Sequence, residues 1–196
     1  RAEIEERLKN AAEQGGKLSL DLAALRRGLE WPQPLWQRLQ EELERERVAS
    51  FRQAKVVSHK AVAGLSKAEQ DLLDRIRQTY QESGWSSPRP DELPALLRAD
   101  PALTGRLLEA LYSGGELVRL TRLVTVSMAA FREAQAKAVE IIKRDGFLDS
   151  SQFKNVIGSS RKYAIALLDY LDMRHITMRT QHNNRKLAMD FEKRLL

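Results

Sequence analysis

The sequence predicts a mainly α protein with short β-hairpins, built from helix-turn-helix segments in tandem. Three observations lead there. At 42% hydrophobic and 31% charged residues, with 10 Gly and 6 Pro in 196 residues, the composition is that of a soluble, helix-rich globular chain and not of a disordered one. Apolar residues recur at helical spacing over long windows. One order of elements also returns about every 60–70 residues without any obvious sequence repeat: a long amphipathic helix, a short helix, a longer helix and two β-prone runs.

In the first segment, 1–65, Arg1 to Asn10 reads as a shortened first helix, Lys17 to Leu20 as a strand and Leu22 to Leu29 as a short helix. Pro34 to Glu46 is the longer helix, and Val48 to Arg52 with Lys55 to Ser58 the hairpin. The second segment, 66–127, opens with a Ser66 cap on a helix to Ser83 that turns Leu72, Leu73, Ile76 and Tyr80 inward. A Pro-rich turn and a short helix around Asp91 to Leu97 follow. Asp100-Pro101 starts the next helix, as proline at a first turn favours; Gly114-Gly115 ends it, and Leu117 to Leu120 pairs with Leu123 to Val126.

The third segment, 128–196, is the clearest. Met128 to Asp145 carries Phe131, Ala134, Ala138, Ile141 and Ile142 on one stripe, and Gly146 supplies a left-handed cap. Phe147-Leu148 is a candidate strand, and Asp149 or Ser150 caps a short helix to Val156. After Gly158-Ser159-Ser160 a hydroxyl caps a helix over about Arg161 to Arg174. Ile176 to Thr180, a turn at Gln181 to Asn184, and Arg185 to Met189 form the hairpin. Helix, strand, helix, turn, helix and a two-stranded hairpin is the winged-helix form of the helix-turn-helix. Trp31, Trp36 and Trp85, each near Pro or Ser, read as packing anchors.

Composition also narrows function. With no Cys and three scattered His, thiolate chemistry and a His-based metal site are disfavoured. No nucleophile–base set or carboxylate pair stands out, so a binding module is expected, not an enzyme. No run approaches a bilayer span and no apolar leader is present; a cytoplasmic protein without membrane contact is expected. The formal net charge is +6, and residues 128–196 hold 13 basic against 8 acidic side chains, so a polyanion is expected to bind there.

A winged helix offers nucleic acid the start of its third helix and its hairpin tip. In the third segment both are basic. Arg161 and Lys162 occupy the first helical turn, where open N–H groups already favour phosphate. Ala164, Leu167, Leu168 and Leu171 form the inward stripe; Lys162, Ala166, Asp169 and Met173 lie opposite, with Tyr163 and Tyr170 at one flank. Arg179, Asn183, Asn184, Arg185 and Lys186 surround the wing tip, and Lys154 reaches toward the same groove. The corresponding helix of the first segment is too acidic for phosphate. In the second, Arg119 and Arg122 on the hairpin are a weak exception. At this level nucleic acid, a protein partner and a plain scaffold all remain open, as do DNA and RNA.

The run Ser160-Arg161-Lys162-Tyr163-Ala164-Ile165-Ala166-Leu167-Leu168-Asp169-Tyr170-Leu171-Asp172, followed by Ile176-Thr177 and a basic wing, closely resembles the last winged helix of the bacterial selenocysteine-specific elongation factors. Asp145-Gly146 and Glu69 to Leu73 fit as well. Ala166, Met173 and His175 depart from the pattern, which implies Pro, Arg and Gly there. The resemblance implies an arm of tandem winged helices whose last member binds a hairpin in selenoprotein mRNA. It also implies a monomer, with ribosome and selenocysteyl-tRNA engaged through the parent factor. The Gly-x4-Gly-Lys-Ser/Thr motif is absent from the sequence; with Arg1 at its head, the chain is expected to be the arm alone, GTP being the cofactor of domains outside it. If the ligand is an RNA hairpin, its A-form major groove does not admit a helix. Arg161, Lys162, Arg185 and Lys186 are then expected on phosphates, and Ser159, Ser160 and Tyr163 around an extruded base, Tyr163 being alternatively a core residue. A DNA-binding regulator or a protein-docking scaffold stands as the alternative.

Overall fold

The computed structural model describes residues 1–15, 18–52, 54–59, 62, 64–180 and 184–196. In chain order the elements are α1 (Ala2–Gly15), β1 (Ser19–Asp21), α2 (Leu22–Arg26), α3 (Gln33–Arg45), β2 (Ala49–Arg52), β3 (Lys55–Ser58), α4 (Lys67–Ser83), α5 (Leu93–Leu97), α6 (Pro101–Ser113), β4 (Leu117–Thr121), β5 (Val124–Ser127), α7 (Met128–Asp145), α8 (Ser150–Val156), α9 (Arg161–Met173), β6 (Thr177–Arg179) and β7 (Arg185–Leu187). The fold is mainly helical with short antiparallel hairpins, as the sequence implies. Lys17 and the predicted turn residues 181–183 lie outside the described residues.

The chain divides into two compact units. One comprises Arg1–Ile76 and Leu93–Leu117, the other Arg77–Glu92 and Val118–Leu196. In the first, α1 runs past the expected Asn10, since its Ala, Glu and Gln residues are good helix formers. The short helix α2 stops at Arg26, ahead of Gly28 at φ +76°. β3 is central to an antiparallel sheet of order β1-β3-β2, with Leu20 opposite Val56 and Phe51 opposite the same residue on the other side. Ile4, Leu8, Leu25, Trp36, Leu39, Leu43, Ala49 and Val56 make the core beneath it, with Trp31 5.1 Å from Trp36 between ring centroids. Ser66 and Glu69 form a capping box at the start of α4, each side chain bonding the other's backbone N–H. Asp100 caps α6 by accepting from the Leu103 N–H at 2.7 Å.

In the second unit a single apolar cluster joins Val118, Val124 and Val126 to Phe131, Ala134 and Ala138 of α7, Phe153 of α8 and Leu167, Leu168 and Leu171 of α9. The Ser127 hydroxyl caps α7, and Gly146 closes it at φ +83°. Asp149 caps α8, accepting from the Ser151 and Gln152 N–H groups. Leu148 joins the hairpin: its N–H donates to the Arg185 carbonyl at 3.0 Å and its carbonyl accepts the Arg185 N–H at 2.8 Å, so the predicted strand survives as one bridge. His175 sits at φ +53°, the left-handed conformation that makes glycine the expected residue there.

Candidate nucleic-acid interface

The start of α9 is built by the turn before it. Gly158 takes φ +61° and returns the chain, and the Ser159 N–H donates to the Lys154 carbonyl at 3.2 Å. Ser160 occupies the cap position in extended geometry, but its hydroxyl makes no capping bond. This corrects the expected hydroxyl cap and leaves the first-turn N–H groups of α9 without a capping side chain among the described residues. Ser160, Arg161 and Lys162 are exposed, and Lys154 at the end of α8 is half-buried. The Lys162 ammonium lies 5.7 Å from the centre of the Tyr163 ring. Two cations and a row of free donors thus share one helix entrance, an arrangement that attracts phosphate.

Two expected pocket residues serve another purpose. Tyr163 is 8% exposed, and its hydroxyl donates to the Ser87 carbonyl. The Ser159 hydroxyl donates to the Trp85 carbonyl at 2.5 Å. Trp85 in turn donates its indole N–H to the Ala130 carbonyl at 2.9 Å, and the Ser87 hydroxyl donates to the Thr125 carbonyl. The segment around Trp85 to Ser87 therefore buttresses the α9 entrance, and Tyr163 takes the core alternative. Its hydroxyl is committed to protein and does not line a base pocket. Ala166, expected on the outer face, is 4% exposed and belongs to the apolar cluster, so the buried arc of α9 is wider than a single stripe.

The wing needs the larger correction. Arg185, expected on a phosphate, is 2% exposed and turned to protein. Its guanidinium bonds Asp169 at 2.7 Å and Asp172 at 3.2 Å, both on α9, while the Thr177 hydroxyl donates to Asp172. Side chains alternate across a strand, so Arg185 pointing inward sends Lys186 outward, where it is exposed. The adjacency of two cations in sequence concealed this; the two-residue period held the signal. The register pairs Arg179 with Arg185 and Met178 with Lys186. Lys186 therefore stands beside Met178, which is 52% exposed and carries no signal of its own in the sequence. Arg179 is exposed at the strand end and Asn184 half-buried, its carbonyl accepting the Thr180 N–H at 2.7 Å. Asn183 lies outside the described residues.

In the same unit Arg122 lines an open hollow with Arg89, Pro90, Asp91, Thr121 and Leu123. Arg89 pairs there with Asp91 at 2.5 Å, so little net positive charge gathers. Of the described residues, none cluster as His, Cys, Asp or Glu in a metal-binding group, and no helix is long and apolar enough to cross a membrane.

Residues 140–187 match the family described as elongation factor SelB, winged helix. No curated protein sequence matches the chain. Among solved structures, the mRNA-binding domain of elongation factor SelB from E. coli, in complex with SECIS RNA, superposes with a TM-score of 0.55 at 18% identity, over 63% of this chain and 99% of that one. A bacterial selenocysteine-specific elongation factor, EF-Sec, aligns with a TM-score of 0.47 at 16% identity over 92% of this chain, which spans 30% of that structure's length. The first superposition shows the fold. The segment that carries α8, α9 and both wing strands, with its exposed cations, is the one that matches the winged helix of elongation factor SelB.

Proposed function

We propose that this chain is the RNA-binding arm of a selenocysteine-specific translation elongation factor and that its last winged helix recognises a stem-loop in mRNA. The observation that carries the reading is the match of residues 140–187 to the SelB winged helix, whose open helix entrance bears Arg161 and Lys162. The fold neighbour from E. coli is described as bound to SECIS RNA, and that ligand is the one proposed here. Arg161, Lys162 and Lys186 contact phosphates; Lys154 at the end of α8, and Arg179 and Asn184 of the wing, extend the track. Ser160 and the open amides of the α9 entrance meet a loop or bulge nucleotide, since sequence-specific RNA recognition targets unpaired bases. Ribosome, selenocysteyl-tRNA and GTP are engaged through further domains of a longer cytoplasmic factor, and the arm itself performs no catalysis.

The test is a competition between a labelled selenocysteine-insertion RNA hairpin and duplex DNA. Hairpin preference is expected, weakened strongly in the Arg161→Ala/Lys162→Ala variant. Equal or better binding of duplex DNA supports a DNA-binding regulator instead, and binding of neither supports a docking scaffold.

A further inference from the structure

Resting on that proposed function, we infer that Arg185 is the positioning residue of the wing: it fixes the register and angle of β6–β7 on α9 so that Lys186 and Met178 are presented outward as a preset contact for RNA.

A hairpin with strands as short as Thr177–Arg179 and Arg185–Leu187 does not hold a pose by itself. A one-residue slip would exchange Arg185 for Lys186 and turn every side chain to the other face. Arg185 forbids the slip. Asp169 and Asp172 stand three residues apart on α9, neighbours on one helix face. The planar guanidinium fork spans both, a fit that the point charge of lysine lacks. Bonds in both directions with Leu148 hold the same residue's backbone. Thr177, opposite Leu187 in the register, fixes the second oxygen of Asp172. Of the three charged groups only the arginine is buried, the Asp169 side chain being 54% exposed; burying a charge is a poor device for stability alone, and the best-attested use of such a pair is setting register. Here that register decides which cation meets solvent. A contact already in place does not have to be ordered when the ligand arrives.

The experiment uses the full chain and a labelled selenocysteine-insertion RNA hairpin, titrated at several salt concentrations, with melting recorded in parallel. Lys186→Ala is expected to weaken binding and to lower the slope of log K against log salt by about one unit. Arg185→Met, measured well below its melting point, is expected to reproduce that slope loss although Arg185 is buried. The double variant Arg185→Met/Lys186→Ala is expected to bind no worse than Arg185→Met. Asp172→Asn, which leaves the Asp169 contact in place, is expected to give part of the same loss and carries the test if Arg185→Met fails to fold. Binding and slope equal to wild type in a folded Arg185→Met chain, or in Asp172→Asn where Arg185→Met does not fold, would overturn the assignment and leave Arg185 a fold residue. Additive losses in the double variant would overturn it too. Failure of the wild-type chain to bind the hairpin sinks the proposed function, a result distinct from either.

Discussion

Replacing Tyr163 with Phe separates support from contact at the entrance of α9. The change removes one oxygen and leaves the ring. The hydroxyl donates to the Ser87 carbonyl and lies 3.5 Å from the Ser87 hydroxyl, in surroundings where Tyr163 is 8% exposed. A typical intramolecular hydrogen bond contributes about 1 kcal/mol net, and an acceptor left buried without a donor costs about 1–3 kcal/mol. The Ser87 hydroxyl stays on the Thr125 carbonyl and gives the Ser87 carbonyl no replacement donor, so a loss of at least about 1 kcal/mol is expected. That corresponds to a fall in melting temperature of about 4–8 °C if the second unit melts alone, or about 2–4 °C if the chain melts as one. Hairpin affinity at 25 °C and its salt slope are expected to stay at wild-type values, since the hydroxyl faces protein. A variant that melts like wild type but loses hairpin binding would refute the reasoning and return Tyr163 to the base pocket.

Other perturbations divide stability from binding along the same lines. Arg161→Ala/Lys162→Ala alters exposed side chains, so denaturant unfolding is expected to move by no more than about 0.5 kcal/mol, while the salt slope of hairpin binding falls by about two. Gly146→Ala places a Cβ where it meets nothing within 4 Å, yet at φ +83° it is expected to cost about 1–2 kcal/mol of backbone strain, read as a lower urea midpoint at unchanged m. Hydrogen bonds from Ser66, together with Arg106, hold the Glu69 carboxyl below its usual range. A depressed native value means stability present above about pH 4.3 and lost as pH falls through the native value. Glu69→Gln is expected to flatten that acid limb in urea midpoints measured from pH 6 downward. A 128–196 fragment lacks the carbonyls of Trp85 and Ser87 that Ser159 and Tyr163 bond; it is expected to melt below the full chain and to bind hairpin less well at 37 °C than at 10 °C, relative to the full chain.

The sequence made most of this fold legible where local chemistry is decisive. The Ser66 cap, the Asp100-Pro101 start, the glycine at 146 and Asp149, one of the two caps the sequence offers for α8, each act within a few residues, and each is found in place. The stripe of Ala164, Leu167, Leu168 and Leu171 is buried for the same reason. Misread positions depend on partners distant in sequence. Nothing around Tyr163 announces that the Ser87 carbonyl, 76 residues earlier, accepts its hydrogen bond, so in sequence an exposed flank of a helical wheel and a buried one look alike. Arg185 departs from expectation for a different reason. Its partners lie only 13 and 16 residues away: two carboxylates at helical spacing precede a strand cation, and strand alternation, not net charge, separates Arg185 from Lys186.

Once Arg185 is counted inside, the positive surface of the last winged helix is smaller and more ordered than its composition implies. Asp169 and Asp172, the two acids between Lys154 and Lys186, engage the buried arginine and do not stand as bare anionic charge against the outward cations. The acids of α9 hold the wing, the hydroxyls of Ser159 and Tyr163 hold the helix entrance, and neither task falls to Arg161, Lys162 or Lys186. The nucleic-acid contact proposed for Arg161, Lys162 and Lys186 thus rests on side chains that can be exchanged one at a time without unfolding the support. That separation is the physical reason the salt slope, and not the melting temperature, is the quantity that reports on this surface.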